Sequence, residues 1–377
     1  MPSMNAASNL PTPPLHRLHI SLFEDCDLAC RGCMAQAMQT KSTDGPLLSA
    51  DLAMHAVQEA RSLGLTSVHL IGSDTLLHPE LHKLLDGISR ENVGLVIETS
   101  GTGVTTELAL RIARLPRCTV AIGLDGALPD THDAIHNQPG SFQTAAEAAS
   151  LLAGNGVTLH LVYTVLRANA AQVPPFIQLA EGLGAEAVRF GMAMPGPRFF
   201  RQNTGKPVTS GLARWQRHLH VEELIALGRR VERQMAPYTR LQLIYDQPPA
   251  FRGLHPQSRY EEGGRCGALN VLGVLATGQY ALCGAGQHMQ ELVLGEIGRD
   301  ALADVWACHP ALHRLREGLP GRLEGVCGHC VMRNSCMGNC VAENYIRTGS
   351  FFGPYWFCEA AERAGLFPAG RLEENVF

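Results

Sequence analysis

No run in the 377 residues approaches the ~18 consecutive apolar positions of a membrane-spanning helix. The opening residues, MPSMNAASNLPTPPL, carry neither a charged start nor an apolar stretch, so the sequence predicts a short flexible lead and no secretion signal. Positive charge is not in excess: 31 Lys and Arg face 35 Asp and Glu, a net charge of −4, and this leaves no electrostatic footprint for nucleic acid. Internal repeats and low-complexity tracts are also missing. Together these absences predict a cytoplasmic chain with no membrane or nucleic-acid partner. With 45% hydrophobic and 18% charged residues the chain can bury a large core, and its length suggests two or three domains.

Cysteine, by contrast, is plentiful for a chain with no secretion signal. Twelve cysteines in a reducing compartment point to metal or redox chemistry rather than a disulfide framework. The stretch DCDLACRGCM places Cys26, Cys30 and Cys33 within eight residues. A closed tetrahedral site needs four ligands, so three thiolates leave one position to be filled from elsewhere. Zinc with a remote fourth ligand fits the spacing, and so does an iron–sulfur cluster. From Gly263 onward the chain is loop-rich and holds eight of the twelve cysteines, too many for one zinc. Cys118, at the start of a β-like run, and Cys308, beside Trp306, read as core residues.

Between Leu15 and Met194 six β-like runs (LHRLHISLF, TSVHLIG, VGLVIETS, CTVAIGLD, VTLHLVYTVL and AVRFGM) alternate with helical stretches. Ser49 and Ser141 read as helix caps, and Gly64 as a stop. Such alternation implies a parallel sheet, either a partial TIM-like barrel or a doubly wound sheet. The polar and glycine-bearing signals GSD, TSG and LDG, like the first cysteines, each follow a strand. They therefore share the rim on which α/β sites are built. The sequence divides into a lead (1–14), a partial barrel (15–195), a bridging segment (196–260) and a cysteine-rich domain (261–377). Within the bridge, VEELIALGRRVERQM reads as an amphipathic helix and LQLIYDQPPAF as a strand.

Cys-x3-Cys-x2-Cys after a first strand resembles the signature of the radical SAM enzymes. The later order, Cys266, Gly278, Cys283, then Cys327-x2-Cys330-x5-Cys336-x3-Cys340 and Cys358, resembles their SPASM extension. The resemblance implies an α/β fold, a partial (β/α)6 TIM-like barrel with a loop-rich SPASM domain. It implies that Cys26, Cys30 and Cys33 hold a [4Fe–4S] cluster whose open iron binds S-adenosyl-L-methionine. The fourth ligand of the opening motif is then the cosubstrate. Ile71–Leu81 resembles the family's GGEP segment, with Gly72 kept and Ser73, Asp74 and Thr75 in place of Gly, Glu and Pro. Asp74 is then a carboxylate near the methionyl amino group. Thr99 and Ser100 lie in ETSG, which is similar to the third-strand TNG end. The run Gly123–Phe142 resembles an S-L-D-G…H-D…R…G-S-F pattern. It assigns Asp125 and His136 to the cosubstrate pocket, with Gly123 and His136 where Ser and Arg are usual. Arg167 or Arg189 compensates for the missing arginine, and Met192 covers the adenine.

The same resemblance implies two auxiliary [4Fe–4S] clusters. Cys327, Cys330, Cys336 and Cys358 hold the distal one, and Cys266, Cys283 and Cys340 the proximal one. No further cysteine lies between Cys266 and Cys283, which leaves the proximal cluster with a non-cysteine ligand or an open iron. LGEIGRDALADVWACHPALHRLREG is similar to the docking helix usual between the two groups. The implied activity is generation of a 5′-deoxyadenosyl radical and oxidative cross-linking or dehydrogenation of a ribosomally made peptide or protein, with the auxiliary clusters taking up the remaining electron. Asp246 and Tyr245 are the candidate proton acceptors. Gly284, where sulfatase activators usually carry an acid, lowers that option. Implied partners are a precursor peptide, a flavodoxin- or ferredoxin-type reductant and a separate leader-binding protein, since only about 15 residues precede the first strand. The alternative substrate is a small molecule or cofactor precursor such as a tetrapyrrole. Outside the enzymes stand an iron–sulfur electron carrier and a zinc scaffold, neither of which needs the strand-end loops.

Overall fold

The computed structural model describes residues 12–24, 26, 28, 30, 45–192, 218–253, 267–284 and 289–373. Cys33 and Cys266 lie outside the described residues, as do most of the lead and the start of the bridge.

Six strands follow the expected order: β1 (Arg17–Ser21), β2 (Ser67–Ile71), β3 (Gly94–Thr99), β4 (Cys118–Gly123), β5 (Thr158–Val165) and β6 (Ala187–Met192). All pair in parallel with their sequence neighbours. The crossovers are α1 (Ala50–Arg61), α2 (Leu81–Arg90), α3 (Thr106–Ala113), α4 (Pro129–His136), α5 (Ser141–Gly154) and α6 (Val173–Gly182). Ser49 caps α1 as expected, accepting from the Leu52 amide at 3.3 Å. Ser141 does not cap α5. Gly140, at φ 83°, holds that position, and Asp133 supplies the acceptor for the Gly140 and Phe142 amides at 2.6 and 2.8 Å.

The sheet is longer at both edges than six strands. The bridging strand, β7 (Gln242–Tyr245), continues it in parallel beside β6, preceded by helix α7 (Val221–Arg230). On the other edge β8 (Val271–Val274) runs parallel to β1, followed by antiparallel β9 (Gln279–Ala281) and β10 (Val293–Glu296). The loop-rich region thus contributes three strands to the barrel's own sheet. The expected docking helix is two, α8 (Leu302–Cys308) and α9 (Pro310–Gly318), broken where Pro310 starts a new helix. Trp306 of α8 is buried and donates to the Pro13 carbonyl at 2.7 Å, and Tyr280 donates to Glu59 of α1 at 2.7 Å. Cys308 is exposed, contrary to the expectation of a core residue, whereas Cys118 is buried.

Along each central strand one face is sealed and the other is not. Leu18, Ile20, Val68, Leu70, Leu95, Ile97, Leu159 and Leu161 are buried at 0–3% exposure against the helices. Their alternates include His19, His69, Glu98 and Arg189, which face the other side. In a flat sheet, five steps of ~4.8 Å would separate β1 from β6 by ~24 Å. That exceeds the ~8–10 Å reach of screened charges. Arg189 on β6 nonetheless acts on His19, His69 and Glu98. The sheet is therefore curled, and its polar face lines a lumen.

Candidate active site

The rim is built where strands end. The cysteine loop leaves β1 and returns at residue 45, pinned by a bridge between Phe23 and Leu47 and by the Leu48 amide donating to Leu22 at 3.0 Å. Cys26 and Cys30 are both half-buried on it. Gly72, at φ 113°, ends β2; a Cβ there would sit 3.4 Å from the Phe23 carbonyl, so the glycine lets the second loop approach the first. Ser73 follows, half-buried.

Asp74 is not a free carboxylate. It accepts from the Thr99 hydroxyl at 2.5 Å, the Ser100 hydroxyl, the Thr102 amide at 3.1 Å and the Leu76 amide at 3.3 Å, and is 4% exposed. Thr75 adds a 2.6 Å bond to the Glu98 carbonyl. Asp74, Thr99 and Ser100, all expected at the cosubstrate, are thus brought together as a brace that locks the β2 and β3 ends.

Asp125 has a similar role just beyond the end of β4. Its carboxylate accepts from the Thr164 amide at 2.5 Å and meets His136 Nε2 at 3.0 Å, while Asn169 donates to its carbonyl at 2.9 Å. His132 stacks on His136 at 3.9 Å, and burial lowers the His132 pKa to about 4. Met192 is buried at the end of β6. Arg167 is not at the rim pocket. It is paired on the surface with Glu223 of α7 at 2.6 Å.

Tyr245 is turned away from the lumen. It is buried and donates to the Leu224 carbonyl at 3.1 Å, and burial raises its pKa, so its hydroxyl is a packing group. Asp246, the next residue, sits on the opposite face. Arg189 Nε donates to its Oδ2 at 2.6 Å, while its Oδ1 is enclosed without a partner.

Three lumen groups were not singled out from the sequence. His19 and His69 stack at 5.1 Å, and desolvation, reinforced by Arg17, lowers their pKa values to about 4 and about 3. The Glu98 side chain is open to solvent by area, yet desolvation by surrounding protein raises its pKa against the pull of Arg189. Accessible and desolvated at once is what a side chain in a narrow chamber shows. The available signal was a polar residue at alternate positions of otherwise apolar strands, as in VGLVIETS.

Four of the C-terminal cysteines come together. Cys327, Cys330, Cys336 and Cys358 line one small pocket, together with Pro248 and Ala250, which lie just after β7. The thiols surround a space instead of converging on a point, and that donor set suits a multi-iron cluster. The Tyr355 amide donates to Cys327 Sγ at 3.4 Å, and the bond from Cys358 is the main cause of a lowered Cys327 pKa. Cys283 stands apart, at φ 50°. A Cβ on Gly273 would lie 2.2 Å from its carbonyl oxygen, so the glycine admits Cys283 onto the lumen face of β8, level with His19. After the short helices α10 (Gly325–Gly328) and α11 (Arg333–Cys336), Cys340 is the N-cap of α12 (Val341–Thr348).

The Radical SAM superfamily profile matches residues 20–180, and the chain carries that domain. The AdoMet-dependent heme synthase of Methanosarcina barkeri is 25% identical over 354 residues, covering 89% of this chain and 94% of that protein. The mycofactocin maturase MftC of Mycobacterium tuberculosis is 27% identical over 334 residues, covering 87% and 79%. Among solved structures, Streptococcus suis SuiB bound to its precursor peptide SuiA shares the fold, with a TM-score of 0.71 at 14% identity over 93% of this chain and 77% of that one. In this chain the radical SAM domain is followed by a cysteine-rich C-terminal region. Among the described residues no helix is long and apolar enough to cross a membrane.

Proposed function

We propose that this enzyme oxidatively modifies a side chain of a ribosomally synthesised peptide or protein in the cytoplasm, by cross-linking or dehydrogenation. The observation that carries this is the placement of the four-cysteine cavity against Pro248 and Ala250, two and four residues beyond the lumen carboxylate Asp246. An auxiliary redox centre beside the reaction chamber suits a net oxidation.

Cys26, Cys30 and Cys33 hold the first cluster, and the Gly72–Ser73 backbone receives the methionyl amino group of S-adenosyl-L-methionine. Asp74 keeps that rim rigid through Thr99 and Ser100. Asp125 and His136 support the ribose side through Thr164, and Met192 backs the adenine. When bound, cluster and cosubstrate supply a 5′-deoxyadenosyl radical that takes a hydrogen atom from the substrate. Glu98 and the Arg189–Asp246 pair orient the substrate, and Asp246 Oδ1 accepts the proton released on oxidation. Cys327, Cys330, Cys336 and Cys358 hold the distal auxiliary cluster; Cys266, Cys283 and Cys340 hold the proximal one. A flavodoxin- or ferredoxin-type protein supplies electrons, and a separate protein presents the peptide leader.

A second reading, a cofactor precursor such as a tetrapyrrole as substrate, is favoured by the AdoMet-dependent heme synthases, which match over nearly their whole length. One experiment separates the two. The reconstituted enzyme is given a candidate precursor peptide or a tetrapyrrole such as a porphyrin, and products are analysed by mass spectrometry. Loss of two hydrogens from the peptide supports the first reading, and turnover of the porphyrin alone supports the second.

A further inference from the structure

Cys327, Cys330, Cys336 and Cys358 share their pocket with Arg333, which, thiols aside, is the one charged residue among the described residues of its wall. Arg333 opens the single-turn helix α11 and Cys336 closes it, and residues three apart lie on one side of a helix. The guanidinium is held in place. Its Nη1 donates to the Gly328 carbonyl at 3.2 Å and pairs with Glu373, and the side chain is 28% exposed. Two backbone amides are aimed at the thiols themselves: Met332 donates to Cys330 Sγ and Tyr355 to Cys327 Sγ, both at 3.4 Å.

Net charge, hydrogen bonds to sulfur and solvent exposure set the reduction potential of a cluster held by thiolates. Reduction adds negative charge to a group that is already anionic. The apolar part of this wall, Pro248, Leu323 and Phe367 among it, opposes that change. The two amides and the guanidinium favour it. A guanidinium keeps its charge across the working pH range, so the bias is permanent. Glu373 is the counterweight, but at 47% exposure against 28% for Arg333 its charge is the better screened of the two.

We propose that Arg333 sets the reduction potential of the distal auxiliary cluster: its guanidinium stabilises the reduced cluster and raises that potential. This suits the four-cysteine centre to hold the electron that substrate oxidation leaves. The proposal rests on the reading that the four-cysteine pocket holds a cluster. It gives the Arg333–Glu373 pair a role that the fold alone does not require, since each partner moves the potential in its own direction.

The test uses the full chain with Cys26, Cys30 and Cys33 replaced by Ala, so that only auxiliary clusters remain. After anaerobic reconstitution this parent should hold about eight iron, at four per cluster. Midpoint potentials are read by EPR-monitored redox titration of the parent, R333Q, R333K and E373Q, and the distal signal is the one that changes in Cys336→Ala. R333Q should lower the distal potential and leave the other cluster unmoved, and R333K should keep most of the parent's value. E373Q, which frees the cation of its counter-ion, should raise it. Opposite signs follow from charge, whereas a merely structural pair would shift both variants the same way. If R333Q fails to assemble the cluster, E373Q carries the test alone, because it leaves the guanidinium in place. A distal potential unchanged in R333Q, or not raised in E373Q, would overturn the proposal. A parent with about four iron or fewer, or one whose spectra ignore Cys336→Ala, would overturn the cluster reading itself, whatever the Arg333 variants do.

Discussion

The Thr99 hydroxyl donates to the Asp74 carboxylate at 2.5 Å, joining the end of β3 to the loop that leaves β2. With the Ser100 hydroxyl and two amides on the same carboxylate, the rim at the ends of β2 and β3 is fixed by one side chain. Asp74→Ala leaves several buried donors unpaired, and the loss expected is about 2–4 kcal/mol of stability, at roughly 1–3 for each unsatisfied group with partial relaxation. Thr99→Val removes one bond and should cost about 1 kcal/mol. Both variants should also bind S-adenosyl-L-methionine more weakly, as read by anaerobic titration calorimetry. Unchanged affinity in Asp74→Ala would show that the brace does not shape the pocket.

Arg189 and Asp246 form the lumen's ion pair at 2.6 Å. Asp246→Asn keeps the volume but removes the proposed proton acceptor. Product formation should fall by about 10²–10⁴, the usual range for a lost acid–base group. Release of 5′-deoxyadenosine, which does not need that carboxylate, should change far less. A parallel fall in both quantities would place Asp246 in the fold of the rim instead.

His19 and His69 have folded pKa values lowered from 6.5 to about 4 and about 3, chiefly by burial. The unfolded chain therefore takes up protons below pH 6.5 that the folded chain refuses. Their contribution is complete above pH 6.5 and is lost as pH falls toward 4. Between pH 7.5 and 5 each should cost roughly 1–2 kcal/mol of stability. Urea melts of the metal-free chain at the two pH values should show a smaller difference for His69→Gln than for the wild type.

Much of this was legible because the signals were local. The six strands were readable from short β-rich runs set between helix-period stretches, and the rim from GSD, TSG and LDG falling just after strands. The first and last cysteine groups stood out by spacing alone. What was not legible depended on partners far away in sequence. β8, β9 and β10 are three or four residues long, and β8 pairs with β1 across some 250 residues (Arg17 with Val271), so no local pattern announces them. Asp74 read as a ligand-facing carboxylate because its four donors, three of them about 25 residues away, are invisible in sequence. Tyr245 could have been set aside, since adjacent strand residues point to opposite faces and Asp246 was the other candidate. Arg167 was placed by spacing, and its surface partner Glu223 lies 56 residues on.

If Cys26, Cys30 and Cys33 house S-adenosyl-L-methionine chemistry in the barrel, that chemistry is lost when the three are removed. The most direct measurement is 5′-deoxyadenosine released from S-adenosyl-L-methionine by the anaerobically reconstituted, dithionite-reduced enzyme without substrate, beside the variant with all three cysteines replaced by Ala. Slow release by the wild type and none by the variant are expected, and the variant should still retain about eight of about twelve iron. Equal release by both proteins, or a wild type that binds stoichiometric zinc and releases none, would contradict this expectation.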